Sequence, residues 1–300
     1  MKLPDEVQEF LRISGIDPHI FTVPIPRYIR INPHNPISIS DLTRQLITKN
    51  PGIELGIQEV EWLDGFYEMD REVKIAYIDA YKQGKIYGMD ASSAVPVIIL
   101  DPRPGERVLD LCCAPGVKLI YMSERMNGQG EILGVDISNA RLNVCRSMIA
   151  KYSPPTPIQL IQTDGTSFTQ NLFDKILVDA ECTHEGSIKH LEKFEKQWGW
   201  DSFKRRVIDT HTDLQTLQRN LLLNGCDLLK PGGSIVYSTC SFNSSQNELI
   251  IEYILSQRPD MQKIEISTSM PCRQQEGYIK FDPVISKTGG QFIGLLRKML

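Results

Sequence analysis

From Arg107 to Cys240 the chain alternates short apolar runs with helical stretches, and no other feature constrains its fold as strongly. RVLDLC (107–112), EILGVD (131–136), IQLIQTD (158–164), FDKILVD (173–179) and SIVYSTC (234–240) read as strands, the first and the last two of them buried. Between them lie a helix over 118–127 and a helix that Ser138 caps and that runs to about 151. A long helix follows the fourth strand, with Leu214, Leu217, Leu221, Leu222 and Leu228 roughly at helical spacing. A helix over 244–256 and strands near 263–267 and 291–296 complete the pattern. This alternation predicts an α/β fold with a doubly wound, mainly parallel sheet over residues 91–300.

The strand ends carry the chemistry. Cys182 follows the strand ending at Asp179, and Cys240 ends the strand 234–240. Reacting groups in open α/β sheets gather at the carboxyl ends of strands, so thiols there are placed to attack a substrate. Attack needs thiolate, and an ordinary cysteine with a pKa of ~8.5 is mostly protonated at neutral pH. Lys118 is the candidate positive neighbour. Cys112, Cys113, Cys145, Cys226 and Cys272 read as small buried hydrophobes. Seven cysteines without paired C-x-x-C spacing argue against a disulfide framework or a metal site, and for a reducing compartment. His184 and His190 read as surface or loop histidines.

Acids end the other strands. Asp136 follows the Pro115–Gly116 turn by about 20 residues, where an acid binds ribose hydroxyls, and Asp164 is placed to accept an adenine amino group. The turn 113–118 offers backbone N–H groups but lacks G-x-G-x-x-G, so it is not a pyrophosphate cradle. Each acid alone reads equally well as a turn residue. Their placement at consecutive strand ends points to a nucleoside cofactor.

Residues 1–90 read as a separate small α+β module. Helical spacing over 1–18 places Val7, Phe10, Leu11 and Ile13 on one face, alternation around Tyr28–Ile31 predicts a strand, Ser40 is the expected cap of the next helix, and 53–69 supplies further short strands. No segment has the roughly 18 apolar residues of a membrane span, and the first residues lack a signal core, so a cytoplasmic protein is expected. A net charge of −4 excludes a broadly basic nucleic-acid coat but not a local patch.

The runs VLDLCCAPGVKL (108–119), TDGT (163–166), VDAECTHEGS (178–187) and KPGGSIVYSTCSF (230–242), with Asp136, resemble the Sun-domain, RsmB-like RNA cytosine-5 methyltransferases. The flanks RYIRIN (27–32), YGMDASS (87–93) and TGGQFIGLLRK (288–298) agree, so the resemblance spans roughly residues 20 to 300. It implies a Rossmann-like domain that uses S-adenosyl-L-methionine and an RNA-recognition-like (RRM-like) N-terminal fold. It implies that Cys240 attacks carbon 6 of cytosine, that Cys182 helps release the product, and that Asp179 binds the cytosine edge. Cys112, Cys113, Ala114, Pro115, Gly116, Val117 and Lys118, with Asp136, Arg141, Asp164 and Asp179, form the expected cofactor site. The expected partner is RNA, tRNA ahead of rRNA because the chain carries no extra recognition domain; the expected protein is a cytoplasmic monomer without metal or membrane, with the nucleus or nucleolus as the alternative place in a eukaryotic cell.

The sequence departs from that family at Glu181, where Pro is usual, at Thr183–His184–Glu185, and at Val117 and Leu119 of the turn. An inward Glu181 raises the thiol pKa values. A catalytically idle RNA-binding scaffold is the alternative reading; DNA cytosine, small-molecule and protein methyltransferases leave the second cysteine unexplained. Two RNA surfaces are expected. One is the stretch 185–206, with Lys189, His190, Lys193, Lys196, Lys204, Arg205 and Arg206 around Trp198 and Trp200. It reads equally as a solvated helix with i,i+4 pairs. The other is Arg27, Tyr28 and Arg30.

Overall fold

Two sheets carry the chain, and the thiols sit beside the seam between them. The computed structural model describes residues 3–208 and 212–300, so Met1 and Lys2 of the expected first helix lie outside the described residues. After α1 (Asp5–Ile13), four short strands form an antiparallel sheet in the order β2-β3-β1-β4: β1 (Arg27–Ile31), β2 (Gln58–Glu59), β3 (Phe66–Met69) and β4 (Ile86–Gly88). With α2 (Ile39–Lys49) and α3 (Asp79–Lys82), the succession is β-α-β-β-α-β. Ile29, Leu42, Leu46, Ile78 and Ile86 pack together and hold one sheet face to these helices.

The second sheet has nine strands among the described residues. β5 (Arg107–Asp110), β6 (Glu131–Asp136), β7 (Ile158–Gln162), β8 (Phe173–Asp179) and β9 (Leu229–Thr239) run parallel, in the order β9-β8-β5-β6-β7. β10 (Met261–Ile264), β11 (Arg273–Gln275), β12 (Tyr278–Phe281) and β13 (Gln291–Lys298) add an antiparallel edge. The sheet is thus mixed rather than mainly parallel. Strand order reverses between β5 and β8, which opens the crevice where ligands collect in such sheets.

The remaining helices are α4 (Ala91–Leu100), α5 (Val117–Met126), α6 (Asn139–Tyr152), α7 (Ile188–Lys193), α8 (Trp200–Phe203), α9 (Thr212–Asp227), α10 (Glu248–Gln257) and α11 (Pro283–Ser286). Ser138 caps α6, its Oγ accepting the Arg141 N–H, as expected. Ser40 does not cap α2: the Ser38 Oγ accepts the Asp41 N–H at 3.1 Å, and Ser40 lies inside the helix. Ile13 is 79% exposed, so the buried stripe of α1 rests on Val7 and Leu11. α1 does not join the small sheet. Val7 and Leu11 pack with Leu191, Phe194, Phe203 and Val207 of the segment that follows Cys182.

The free face of the small sheet is buried against the large domain. Tyr28, Phe66 and Tyr87 share a core with α4 and α5. Arg30 Nε donates to Glu124 at 2.7 Å, and Tyr87 donates to the same carboxylate at 2.9 Å. The guanidinium of Arg30 lies 4.7 Å from the Tyr121 ring, and the Tyr28 hydroxyl donates to the Lys287 carbonyl. Arg30 is therefore an interdomain tie and not an RNA surface, whereas Tyr28, tied to Lys287, lines the cleft together with Arg27.

Candidate active site

Each cysteine owes its position to a strand end and a loop. β8 and β9 pair in parallel register, Asp179 opposite Ser238, so their exits lead Cys182 and Cys240 to the same place. The two Sγ atoms lie 3.4 Å apart. Cys182 is buried, and burial pushes its thiol well above the ordinary range. Cys240 lines a cleft of about 560 Å³ together with Arg27, Tyr28, Arg71, His190 and Gln291.

A buried carboxylate locks the two loops together. Glu185 accepts the hydroxyls of Thr183 and Ser241 and the backbone N–H groups of Phe242 (2.9 Å) and Asn243 (3.2 Å). Gly186 lies so close to the Cys240 carbonyl that a Cβ there would stand 2.5 Å from it. From sequence Glu185 looked like one charge in a solvated stretch; it is fully buried.

His184 was also misplaced by that reading. Its Nδ1 lies 3.0 Å from the Cys240 Sγ and 3.5 Å from the Cys182 Sγ. The three ligand atoms lie within 4.8 Å of one another, a donor set that the sequence spacing did not reveal and that suits a soft divalent ion. His190 stacks on the His184 ring at 4.6 Å and 15°. Glu181 faces solvent, and its backbone carbonyl accepts from Gln218.

Lys118 reaches Asp179, not a thiol, as its first partner: Nζ to Oδ2 is 2.6 Å. Ser238 donates to the other Asp179 oxygen at 2.6 Å. Burial works against the Lys118 ammonium, but Asp179 outweighs it and raises its pKa, with Asp110 and Cys240 adding. The pair places a fixed carboxylate at the end of β8.

The cofactor residues gather at the neighbouring strand ends. Asp136 is buried at the end of β6 and accepts from the N–H groups of Ser138 (2.9 Å) and Ala114 (3.4 Å). Arg141 pairs with Asp136 at 3.5 Å and donates to the Ala114 carbonyl at 2.8 Å, so it braces the turn. Pro115 leads into Gly116 at φ +102°, and Val117 opens α5. A Cβ at Gly116 would stand 3.2 Å from Cys145. Cys112 donates its N–H to Asp110, and Cys113 is buried with its N–H on Val135. Asp164 is exposed, with Oδ1 taken up by the N–H and hydroxyl of Thr166. Asp110, which sequence reading passed over, lies beneath the turn and is buried. Carboxylates at successive strand ends form an acceptor set suited to ribose hydroxyls and a cationic sulfonium.

The charged stretch after Cys182 is partly spent on structure. Lys196 pairs with Glu192, Lys204 with Glu6, and Trp200 packs on Phe203. Lys193 and Arg206 lie over the partly exposed Trp198 ring. The side chain of Lys189 lies outside the described residues. Among the described residues no helix is long and apolar enough to cross a membrane.

The chain is similar to known RNA methyltransferases. A tRNA (cytosine(49)-C(5))-methyltransferase of Pyrococcus abyssi is 31% identical over 240 residues, 77% of this chain and 74% of that one. Ribosomal RNA small subunit methyltransferase F of Klebsiella pneumoniae is 30% identical over 294 residues; this chain is 92% covered but spans only 58% of that relative. A methyltransferase homolog of Pyrococcus horikoshii superposes with a TM-score of 0.75 at 27% identity, covering 99% of this chain and all of that one. NSun6 of the same organism, solved with SFG, gives 0.80 at 18% identity over 99% and 98% of the two chains, a likeness of fold. Residues 97–297 match the 16S rRNA methyltransferase RsmB/F family, and the chain belongs to it.

Proposed function

We propose that this chain transfers a methyl group from S-adenosyl-L-methionine to carbon 5 of a cytosine in RNA, with Cys240 as the nucleophile. One observation carries the reading: two thiols 3.4 Å apart at adjacent strand ends, one of them open to the cleft. Bound beside Asp110 and Asp136, S-adenosyl-L-methionine supplies an electrophilic methyl group. The ribose hydroxyls fall to Asp136, which Arg141 and the turn N–H groups hold in place.

Carbon 5 of cytosine is a weak nucleophile. Addition of the Cys240 sulfur to carbon 6 makes carbon 5 electron-rich. Asp179, fixed by Lys118 and Ser238, accepts from the exocyclic amine of the base, or from N3 once that nitrogen is protonated, which eases addition at carbon 6. Once carbon 5 carries the methyl group, the Cys182 sulfur, in its thiolate form, takes the proton from carbon 5, that C–H electron pair re-forms the double bond, and the S–C6 bond breaks with its pair returning to Cys240. The base must leave any stack to enter, which costs a few kcal/mol in a duplex and less in a loop.

Transfer RNA is the preferred substrate. The tRNA enzyme of Pyrococcus abyssi is matched over more of its own length than the ribosomal RNA enzymes are. Glu181, the departure that favoured an idle scaffold, faces solvent and lends that alternative no support.

Cys240→Ala is expected to abolish methylation of tRNA while cofactor affinity, measured by calorimetry, stays within about twofold. Cys182→Ala is expected to trap RNA as a covalent adduct that survives denaturing electrophoresis. Methylation by the Cys240→Ala variant would remove the nucleophile and the reading with it.

A further inference from the structure

Resting on the reading above, we propose that His184 is a catalytic base for this site, taking the Sγ proton of Cys240 onto Nδ1 before the sulfur attacks. The S–H bond breaks, the N–H bond forms, and the electron pair stays on sulfur for carbon 6. On elimination the imidazolium returns that proton to the departing sulfur.

Three independent observations support it. The Nδ1 atom is nearer to Cys240, at 3.0 Å, than to Cys182, at 3.5 Å, so the sulfur on the cleft holds the shorter contact. His184 sits at φ +61°, a conformation that non-glycine residues rarely adopt and that persists where the surroundings impose it. The surroundings are built to do so. Thr183 donates its N–H to Gln246 on one side, Glu185 is held by four donors on the other, and His190, whose Nδ1 meets the Ser187 Oγ at 3.0 Å, stacks on the ring.

Among the described residues Cys182, Glu185, Glu181, Cys240 and His190 are the titratable groups around the ring. Lys118 is not free for this task, because Asp179 holds it.

The test is the rate at which iodoacetamide alkylates Cys240, read by peptide mass spectrometry, in the full chain with EDTA present so that no metal ion masks the thiols. It uses neither RNA nor methyl donor, so it stands or falls apart from the methylation assay. His184→Gln removes the basic ring nitrogen while keeping an amide of similar reach. His184→Gly removes the ring at a backbone position that glycine adopts freely, which guards against misfolding. At pH 7 both variants are expected to alkylate Cys240 about tenfold more slowly than the natural chain, and at pH 9.5, where thiolate forms without help, the gap is expected to narrow to about twofold. Rates within twofold of the natural chain at pH 7 in both variants would overturn the proposal.

Discussion

At the scale of single residues, Asp110 makes the sharpest prediction. Burial pushes its carboxyl up from 3.8 to about 7; the Cys112 N–H and Lys118 oppose this, and Asp179 and Asp136 add to it. The folded chain therefore binds this proton more tightly than the unfolded chain. The stability it contributes is fully present below pH 3.8 and is lost as pH rises through about 7. Two of those units lie between pH 5 and 7, about 3 kcal/mol at 1.36 per unit. Asp110→Asn keeps an acceptor for Cys112 and cannot ionise. It is expected to gain about 3 kcal/mol over the natural chain at pH 8 relative to pH 5, by urea unfolding without cofactor. An equal difference at both pH values would show that the group does not titrate in this window. Asp110 also marks the limit of sequence reading at this scale. Asp136, Asp179 and the two cysteines were legible because a strand end is a position that pattern alone can locate. Asp110, His184 and Glu185 were not, because their roles depend on which loop lies across them, and Glu185 has no local feature separating a buried lock from a solvated charge.

At the scale of elements, apolar runs ended by acids made β5, β6 and β8 readable, since a parallel strand covered on both sides needs such a run, and β7, at the sheet edge with no buried residue, was readable from its alternating apolar residues. Elements that break the local rules were missed. α4 is buried almost all round and contains Pro96, so it shows neither amphipathic spacing nor the composition of a helix. β11 and β12 are only three and four residues long. The partner of α1 was invisible because its apolar face meets residues nearly 200 positions away. The docking of the small sheet on α5 gives a test of the same kind. Burial raises the Glu124 carboxyl, while Arg30 and Tyr87 hold it down. Arg30→Met leaves that carboxylate without its cation and is expected to cost about 3 to 5 kcal/mol of unfolding free energy. Adding Glu124→Met removes the stranded charge and is expected to restore most of it. A double variant as unstable as the single one would mean that packing, not charge, holds the seam.

For the whole molecule, the question is how a chain of net charge −4 takes up a polyanion. The cleft supplies an answer in its lining. Arg27, Arg71 and His190 stand around Cys240, between the small sheet and the catalytic domain. Arg71 is committed to Glu192 at 2.6 Å and braces the rim. Arg27 donates from Nη2 to the Arg71 carbonyl at 3.1 Å, and its Nε is buried without a partner among the described residues. The Nε is shut off from an incoming phosphate, so a phosphate contact near the reacting base falls to the terminal Nη groups of Arg27. A phosphate contact weakens binding whatever the sequence and appears in its salt dependence. Arg27→Ala is expected to lower tRNA affinity and to reduce the slope of log affinity against log salt by about 1. Cofactor affinity and thermal stability are expected to stay within error, because Arg27 touches neither the turn at Gly116 nor the core of the small sheet. A fall in affinity with an unchanged salt slope would mean that Arg27 shapes the cleft without meeting phosphate, and RNA would then have to enter past the Lys193–Trp198–Arg206 surface instead.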